Sequence, residues 1–321
     1  MDKSDFAKLL SQLVTLSKAQ CMQLCHALEN IRTPAPPANL DSAIPIPRGC
    51  PHCQAPAEQL RPWGRRHGLA RLRCRSCGKT SNALTGTPLA RLRKREQWLC
   101  YGQALIDGVS VRKAAQCCGV ANSTTFRWRH RFLQAAASHQ ALHESGIVEA
   151  DETFFLESCK GQRHLYRPPR KRGGVGPAWK HIAVLVVRDR SGQTADFRLE
   201  QCDTKHIAAA LQPLVDKDAI LCTDGANVYQ AVARTLGLTH RAVNVSKGIR
   251  VIDKVFHIQN VNAYDSRLKT WMQRFHGVAS KYLENYLGWR RMLERYQQSI
   301  QPGTCLREAV GRFDTQPLMR T

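Results

Sequence analysis

A chain of 321 residues exceeds what a single hydrophobic core usually serves, so two or three domains are expected. A formal net charge of +23 is far more than solubility requires; it points to nucleic acid and away from an acidic small molecule. The longest purely apolar run, Ile182 to Val187, has only a strand's length, and Asp2, Lys3 and Asp5 open the chain without a signal-peptide pattern, so no membrane partner is expected and the cytoplasm is the expected location.

Residues 1–33 carry Leu9, Leu13 and Leu16, then Met22, Cys25 and Leu28, at helical spacings, which predicts an N-terminal helical segment. Residues 34–47 hold Ala-Pro-Pro and Ile44-Pro-Ile-Pro47, too proline-rich for helix or sheet, and read as a semi-rigid linker. In residues 48–82 two Cys-x-x-Cys pairs, Cys50/Cys53 and Cys74/Cys77, have the spacing of a tetrahedral four-thiolate zinc site, and a structural zinc holds together a loop too small to fold alone. The total of 13 cysteines is odd, and the rest are scattered, which fits a reducing cytosol better than a disulfide framework. From Arg61 to Arg95 there are eleven Lys/Arg and no Asp or Glu, so this zinc ribbon is expected to meet a polyanion.

Residues 96–135 predict a helix-turn-helix. Ser110 can cap a helix whose Val111, Ala114, Ala115 and Cys118 share one face, Gly119 supplies a left-handed turn, and Asn122 or Ser123 can cap the next helix. That second helix presents Arg127, Arg129 and Arg131 as candidate DNA contacts beside Trp128 and Phe132.

The texture changes near residue 145. Strands are expected at 147–155, 181–187 and 194–199, a helix at 204–215, a strand at 219–222 and a helix at 227–236, together a mixed α/β domain. The loop from Lys160 to Lys180 has seven Lys/Arg and no carboxylate, so Lys160, Arg170, Lys171 and Arg172 are candidate phosphate contacts. Strand alternation sends Asp151 and Glu152 to opposite faces, so the two do not both serve one site. Asp151 lies within the first strand and Asp224 comes immediately after the Cys222-Thr223 strand end; two carboxylates converging at neighbouring strands call for a cation, and oxygen ligands favour Mg²⁺ or Mn²⁺, the ions of in-line phosphoryl transfer.

The order of zinc ribbon, helix-turn-helix, Val148-Glu-Ala-Asp-Glu-Thr153 and Thr223-Asp-Gly225 resembles insertion-sequence transposases with an RNase H-like DDE domain. The stretch from His257 through Asn262 to Lys269, and Phe275 to Trp289 after it, resembles that family's third motif, nearest to the group typified by insertion sequence 1595. The resemblance covers residues 48–296 and implies a catalytic domain over 145–296, with residues 297–321 as a C-terminal tail. It implies a catalytic set of Asp151, Asp224, Asn262 and Lys269, with magnesium held by the first three and Asn262 standing where most members have glutamate. Asn offers a metal one uncharged oxygen, so Asp253, Asp265 and Glu284 stay open as replacements; His257 reads as structural. The expected protein is a multidomain α/β transposase that binds the terminal inverted repeats of an insertion sequence in double-stranded DNA, cuts and joins strands, and forms a homo-oligomer to bring two ends together. Two alternatives remain: a zinc-ribbon and helix-turn-helix DNA-binding protein with an inactive RNase H-like domain, and an RNase H-like nuclease without strand transfer.

Overall fold

The computed structural model describes residues 46–166, 181–244 and 248–313, with Ser11, Leu16, Ser17, Gln20 and Ile44 before them. The expected N-terminal helices, most of the proline-rich linker, and Arg170, Lys171 and Arg172 lie outside the described residues.

The first unit is a three-stranded antiparallel ribbon in the order β1 (Leu60–Arg66), β2 (Leu69–Cys74), β3 (Thr80–Asn82). It buries Leu69, Leu72 and Cys74, while most of β1 is exposed. So small a core cannot hold such a ribbon alone.

Three helices follow: α1 (Trp98–Ile106), α2 (Val111–Cys118) and α3 (Asn122–Ser138). Ser110 caps α2 by accepting from the Lys113 N–H, and Gly119 ends it with φ 61° in the left-handed region that glycine tolerates. Neither Asn122 nor Ser123 caps α3. Ala121 occupies the cap position without a side-chain bond, and Asn122 is already helical. Trp98, Tyr101, Trp128 and Phe132 pack edge-to-face where the helices cross.

The α/β part is a five-stranded sheet, ordered β6 (Thr194–Leu199), β5 (His181–Asp189), β4 (Ile147–Leu156), β7 (Ile220–Thr223), β8 (Thr239–Ala242). The first three pair antiparallel; β7 and β8 run parallel to β4. One face packs under α4 (Thr204–Leu211) and α5 (Asn227–Leu236), burying Val148, Ala150, Ile207, Leu211, Tyr229 and Val232. The other face lies beneath α6 (Gln259–Gln273) and carries Ile147, Ile182, Val184, Val186 and Cys222. The helix expected over 204–215 stops at Leu211 because Pro213 cannot continue it.

Two further helices, α7 (Leu283–Tyr296) and α8 (Pro302–Ala309), tie the parts together. Gly288 lies so close to α3 that an added Cβ would stand 2.4 Å from the Ala136 carbonyl oxygen. The Trp289 indole donates to the Leu105 carbonyl. Arg291 pairs with Asp196 of β6 and donates to the Ala136 and Ala137 carbonyls, joining α3 to the sheet edge. The tail expected after residue 296 is therefore partly core: α8 buries Cys305, Leu306 and Ala309, and its Glu308 accepts from Arg295 and Tyr296.

Candidate nucleic-acid and metal sites

The four cysteines expected to bind zinc come together. Their sulfurs all lie within 4.8 Å of one another, with Cys50–Cys77 at 3.6 Å and Cys53–Cys74 at 3.7 Å. A tetrahedron with Zn–S bonds of about 2.3 Å has S···S edges of about 3.8 Å, so the quartet already has the size of a zinc site. Backbone N–H groups of Cys77 and Ser76 favour the Cys74 thiolate, while burial and the neighbouring thiols push its partner Cys53 upward, the repulsion expected of clustered thiols.

The candidate catalytic site is built on β4. Its odd positions, Ile147, Glu149, Asp151 and Phe155, share the face beneath α6. Parallel pairing sets Ile147 against Ile220 and Glu149 against Cys222. Continuing that register two residues further puts Asp151 level with Asp224, just past the end of β7. Adjacent strands are about 4.8 Å apart, so the two carboxylates share one corner of the sheet. Burial first, and then the Asp224 charge, push the Asp151 carboxyl upward; the Glu152 N–H and Lys269 oppose them. Asp224 turns back to accept from the Ala226 N–H at 2.9 Å.

Glu149 fixes the helix above this corner. It is fully buried and accepts from the backbone N–H groups of Asn260 (2.8 Å) and Val261 (3.0 Å) and from the Asn260 side-chain amide (3.0 Å). Arg190 pairs with it at 2.8 Å and His257 lies 3.4 Å away. A carboxylate at a helix N-terminus meets free N–H donors and the positive end of the macrodipole. From Val261 to Asp265 the helix rises about 6 Å, and from Glu149 to Asp151 the strand advances about 6.6 Å, so Asp265 comes to lie over Asp151. Asp265 is 7% exposed, its Oδ1 has no hydrogen-bond partner among the described residues, and burial together with the Asp151 charge pushes it up to about 7.

Asp151, Asp224 and Lys269 thus fall in one electrostatic group, with Asp265 added. Asn262 stands exposed in the first turn of α6, on the same helix edge as exposed Lys269. Of the possible replacements for a third carboxylate, Asp253 and Glu284 are exposed, whereas Asp265 is buried and feels the Asp151 charge. Glu152 does point to the opposite face, against Tyr229 of α5, yet the Asp151 and Asp224 charges still reach it and add to the burial that raises it. Glu149 was missed from the sequence. The available signal was its position two residues before Asp151, on the same strand face.

Of the candidate DNA contacts, Arg127 is exposed on α3. Arg129 is not a surface residue: it is fully buried, donates to the Tyr101 hydroxyl and the Val109 carbonyl, and lies 4.5 Å from the Trp289 ring centre. Helical periodicity explains the difference, since Arg129 shares the inward side of α3 with Trp128 and Phe132. Arg131 is half-buried and donates to the Pro88 and Ala90 carbonyls, clamping the segment between ribbon and helices. Lys160 is exposed and donates to the Gly277 carbonyl.

Comparison with known proteins gives this architecture its class. Residues 92–138 match the homeodomain-like domain family, and residues 144–290 match the ISXO2-like transposase domain. The helical unit and the mixed α/β unit thus match, in that order, a homeodomain-like domain and a transposase domain, in keeping with the resemblance to the insertion sequence 1595 group. A Halobacterium salinarum protein, described as an uncharacterized protein in transposable element ISH50, is 26% identical over 246 residues, covering 74% of this chain and 82% of that protein. Among solved structures, the simian T-cell lymphotropic virus intasome in complex with PP2A regulatory subunit B56 gamma aligns with TM-score 0.30 and 11% identity, over 57% of this chain and 59% of that one. A pre-cleavage Mos1 transpososome aligns with TM-score 0.22 and 15% identity, over 66% of this chain and 79% of that one. Among the described residues, no helix is long and apolar enough to cross a membrane.

Proposed function

We propose that this chain is a DNA transposase that binds the terminal inverted repeats of its insertion sequence and catalyses metal-dependent strand cleavage and strand transfer. The observation that carries the reading is the shared level of Asp151 and Asp224 on neighbouring parallel strands, beneath a helix that contributes Lys269. The sheet order, three antiparallel strands followed by two parallel ones, supports the RNase H-like reading. In this reading the working units are those marked in the sequence: ribbon 48–82, helix-turn-helix 96–135, catalytic domain 145–296.

The donor set fits a divalent cation. Two carboxylates share a corner with no cationic side chain paired to either among the described ion pairs, and a buried Asp265 oxygen beside them lacks a partner. Asp151, Asp224 and Asn262 would hold Mg²⁺ or Mn²⁺, with Asp265 as an added oxygen donor. Once bound, the metal supplies an acidified water and charge stabilisation on the attacking and leaving oxygens. Asp151 and Asp224 would offset the charge of the bound cation beside the scissile phosphodiester, and Lys269 would hold a phosphate oxygen there and align it for in-line attack. In the first step water's oxygen bonds to phosphorus and the 3′-oxygen leaves with a proton. In the second, that 3′-oxygen bonds to a target phosphorus, the target strand's own 3′-oxygen leaves, and the proton of the attacking hydroxyl ends on it.

The cysteine quartet would hold structural zinc and keep the ribbon folded. Exposed Arg127 would enter the DNA, and two chains would join across paired ends. The test is incubation of the full chain with Mg²⁺ or Mn²⁺ and labelled element-end duplex. Nicked and joined products support a transposase, nicks alone support a nuclease without strand transfer, and retained binding with neither product supports an inactive domain.

A further inference from the structure

The basic ribbon contains one feature that the catalytic reading does not use. Arg66, His67, Arg71, Thr80, Ser81, Asn82, Thr85 and Arg95 enclose an open hollow of about 320 Å³. Pockets for organic cofactors are mostly apolar; this lining is polar throughout, with three guanidinium groups and no carboxylate. None of the three arginines is ion-paired among the described residues. Their positions are set by the fold. Arg66 ends β1 opposite Leu69, His67 opens the turn to β2, Arg71 stands on β2 and donates to the Thr80 hydroxyl at 3.2 Å, and Arg95 comes from beyond the ribbon to donate to the His67 carbonyl at 3.3 Å. The Asn82 side-chain carbonyl is taken by the Leu84 N–H and the Thr85 hydroxyl, which leaves its amide hydrogens free to donate. His67 and Lys94, which flank the hollow, both hold positive φ (49° and 57°), a local strain that functional loops often retain.

Positive charge continues along the ribbon beyond the hollow. Arg73 lies two residues beyond Arg71 on β2, hence on the same face, and its guanidinium sits 4.6 Å from the centre of the half-exposed Trp63 ring, with that of Arg61 at 5.4 Å. A charged hollow beside an aromatic ring flanked by guanidiniums matches a sugar–phosphate backbone, which presents anionic oxygens at intervals with a sugar between them.

We propose that this hollow is a phosphodiester-binding site that takes a backbone phosphate of duplex DNA, so that the ribbon grips the strand independently of base sequence. Because the proposal rests on the chain being a DNA-binding transposase, its test separates the two. The full zinc-loaded chain is titrated with fluorescent duplex at several salt concentrations, using element ends and unrelated sequence. Arg66→Ala, which removes no hydrogen bond among the described residues, and Arg71→Ala are each expected to weaken both duplexes about tenfold. Each should also reduce the slope of log affinity against log salt by about 0.9. Arg71→Lys should recover part of the affinity, with zinc content and circular dichroism confirming an intact ribbon. Placing a neutral methylphosphonate at the gripped position should weaken the wild-type chain but not Arg66→Ala. Equal affinity and slope in wild type and both variants would overturn the site while leaving DNA binding in place. Loss restricted to element ends would also overturn it, because it would mean base reading. If the wild type binds no duplex, the transposase reading fails and inorganic phosphate decides the pocket: selective shifts of the arginine Nε signals support an anion site, and their absence ends it.

Discussion

Glu149 offers the sharpest test of how the proposed catalytic corner is assembled. Its carboxylate is fully buried, caps two backbone N–H groups of α6, accepts from the Asn260 amide and pairs with Arg190. Glu149→Ala strands those donors and leaves Arg190 without its partner. Breaking a buried pair of this kind costs about 3–5 kcal/mol. Glu149→Gln keeps one acceptor oxygen but loses the charge, so it should cost about 1.5–3 kcal/mol, the worth of one charge-assisted hydrogen bond. At about 2.1 cal/mol/K of unfolding entropy per residue, each kcal/mol moves the Tm of a 321-residue chain by about 1.5 °C, so the alanine variant should melt about 4–8 °C lower. Because the cap also sets where Asp265 and Lys269 fall over Asp151, metal-dependent cleavage should drop in the glutamine variant at temperatures where it stays folded. Differential scanning calorimetry and cleavage assays on one preparation check both points. A Tm loss below about 2 °C in Glu149→Ala, together with unchanged cleavage, would refute the claim that this carboxylate positions the helix.

Zinc analysis of protein purified without chelator should give about one zinc per chain, and Cys74→Ser should release it and expose the ribbon to proteolysis; metal-free, protease-resistant wild type would contradict this. Asn262→Ala should cripple cleavage, whereas Asp265→Asn should weaken Mn²⁺ binding, measured by electron paramagnetic resonance, with folding intact; unchanged Mn²⁺ affinity would remove Asp265 from the site. His130 packs against Tyr282, and burial, then the Arg129 and Lys281 charges, depress it to about 4. The unfolded chain therefore binds the extra proton between pH 6.5 and about 4, so stability is full above that window and falls as pH drops through it. Urea midpoints across the range should show that slope, and His130→Gln should flatten it.

The elements with strong local signals were legible in the sequence. Paired Cys-x-x-Cys spacing marked the quartet, Ser110 and Gly119 marked the limits of α2, and the apolar run in β5 marked a central strand. Asp151 and Asp224 could be named, but their common level depends on which strands pair and in what register, which no local pattern carries. The arginines of α3 illustrate the opposite failure. A run of basic residues looks like a DNA face, yet period 3.6 turns Arg129 inward, where Tyr101, the Val109 carbonyl and the Trp289 ring satisfy it; that environment is formed by α1 and α7, far off in sequence. The C-terminal helix escaped notice because its short apolar stripe has meaning only against the helix-turn-helix core it covers.

The central claim is that Asp151 and Asp224 form one metal-dependent site for DNA cleavage and joining. The most direct measurement compares wild type, Asp151→Ala and Asp224→Ala on labelled element-end duplex, scoring end binding, nicking and joined product in Mg²⁺ and in Mn²⁺. The account predicts that wild type nicks and joins only with a divalent metal, and that each alanine variant binds the ends as tightly but yields neither product. Cleavage by either variant at the wild-type rate, or by wild type with the metal chelated, would contradict it.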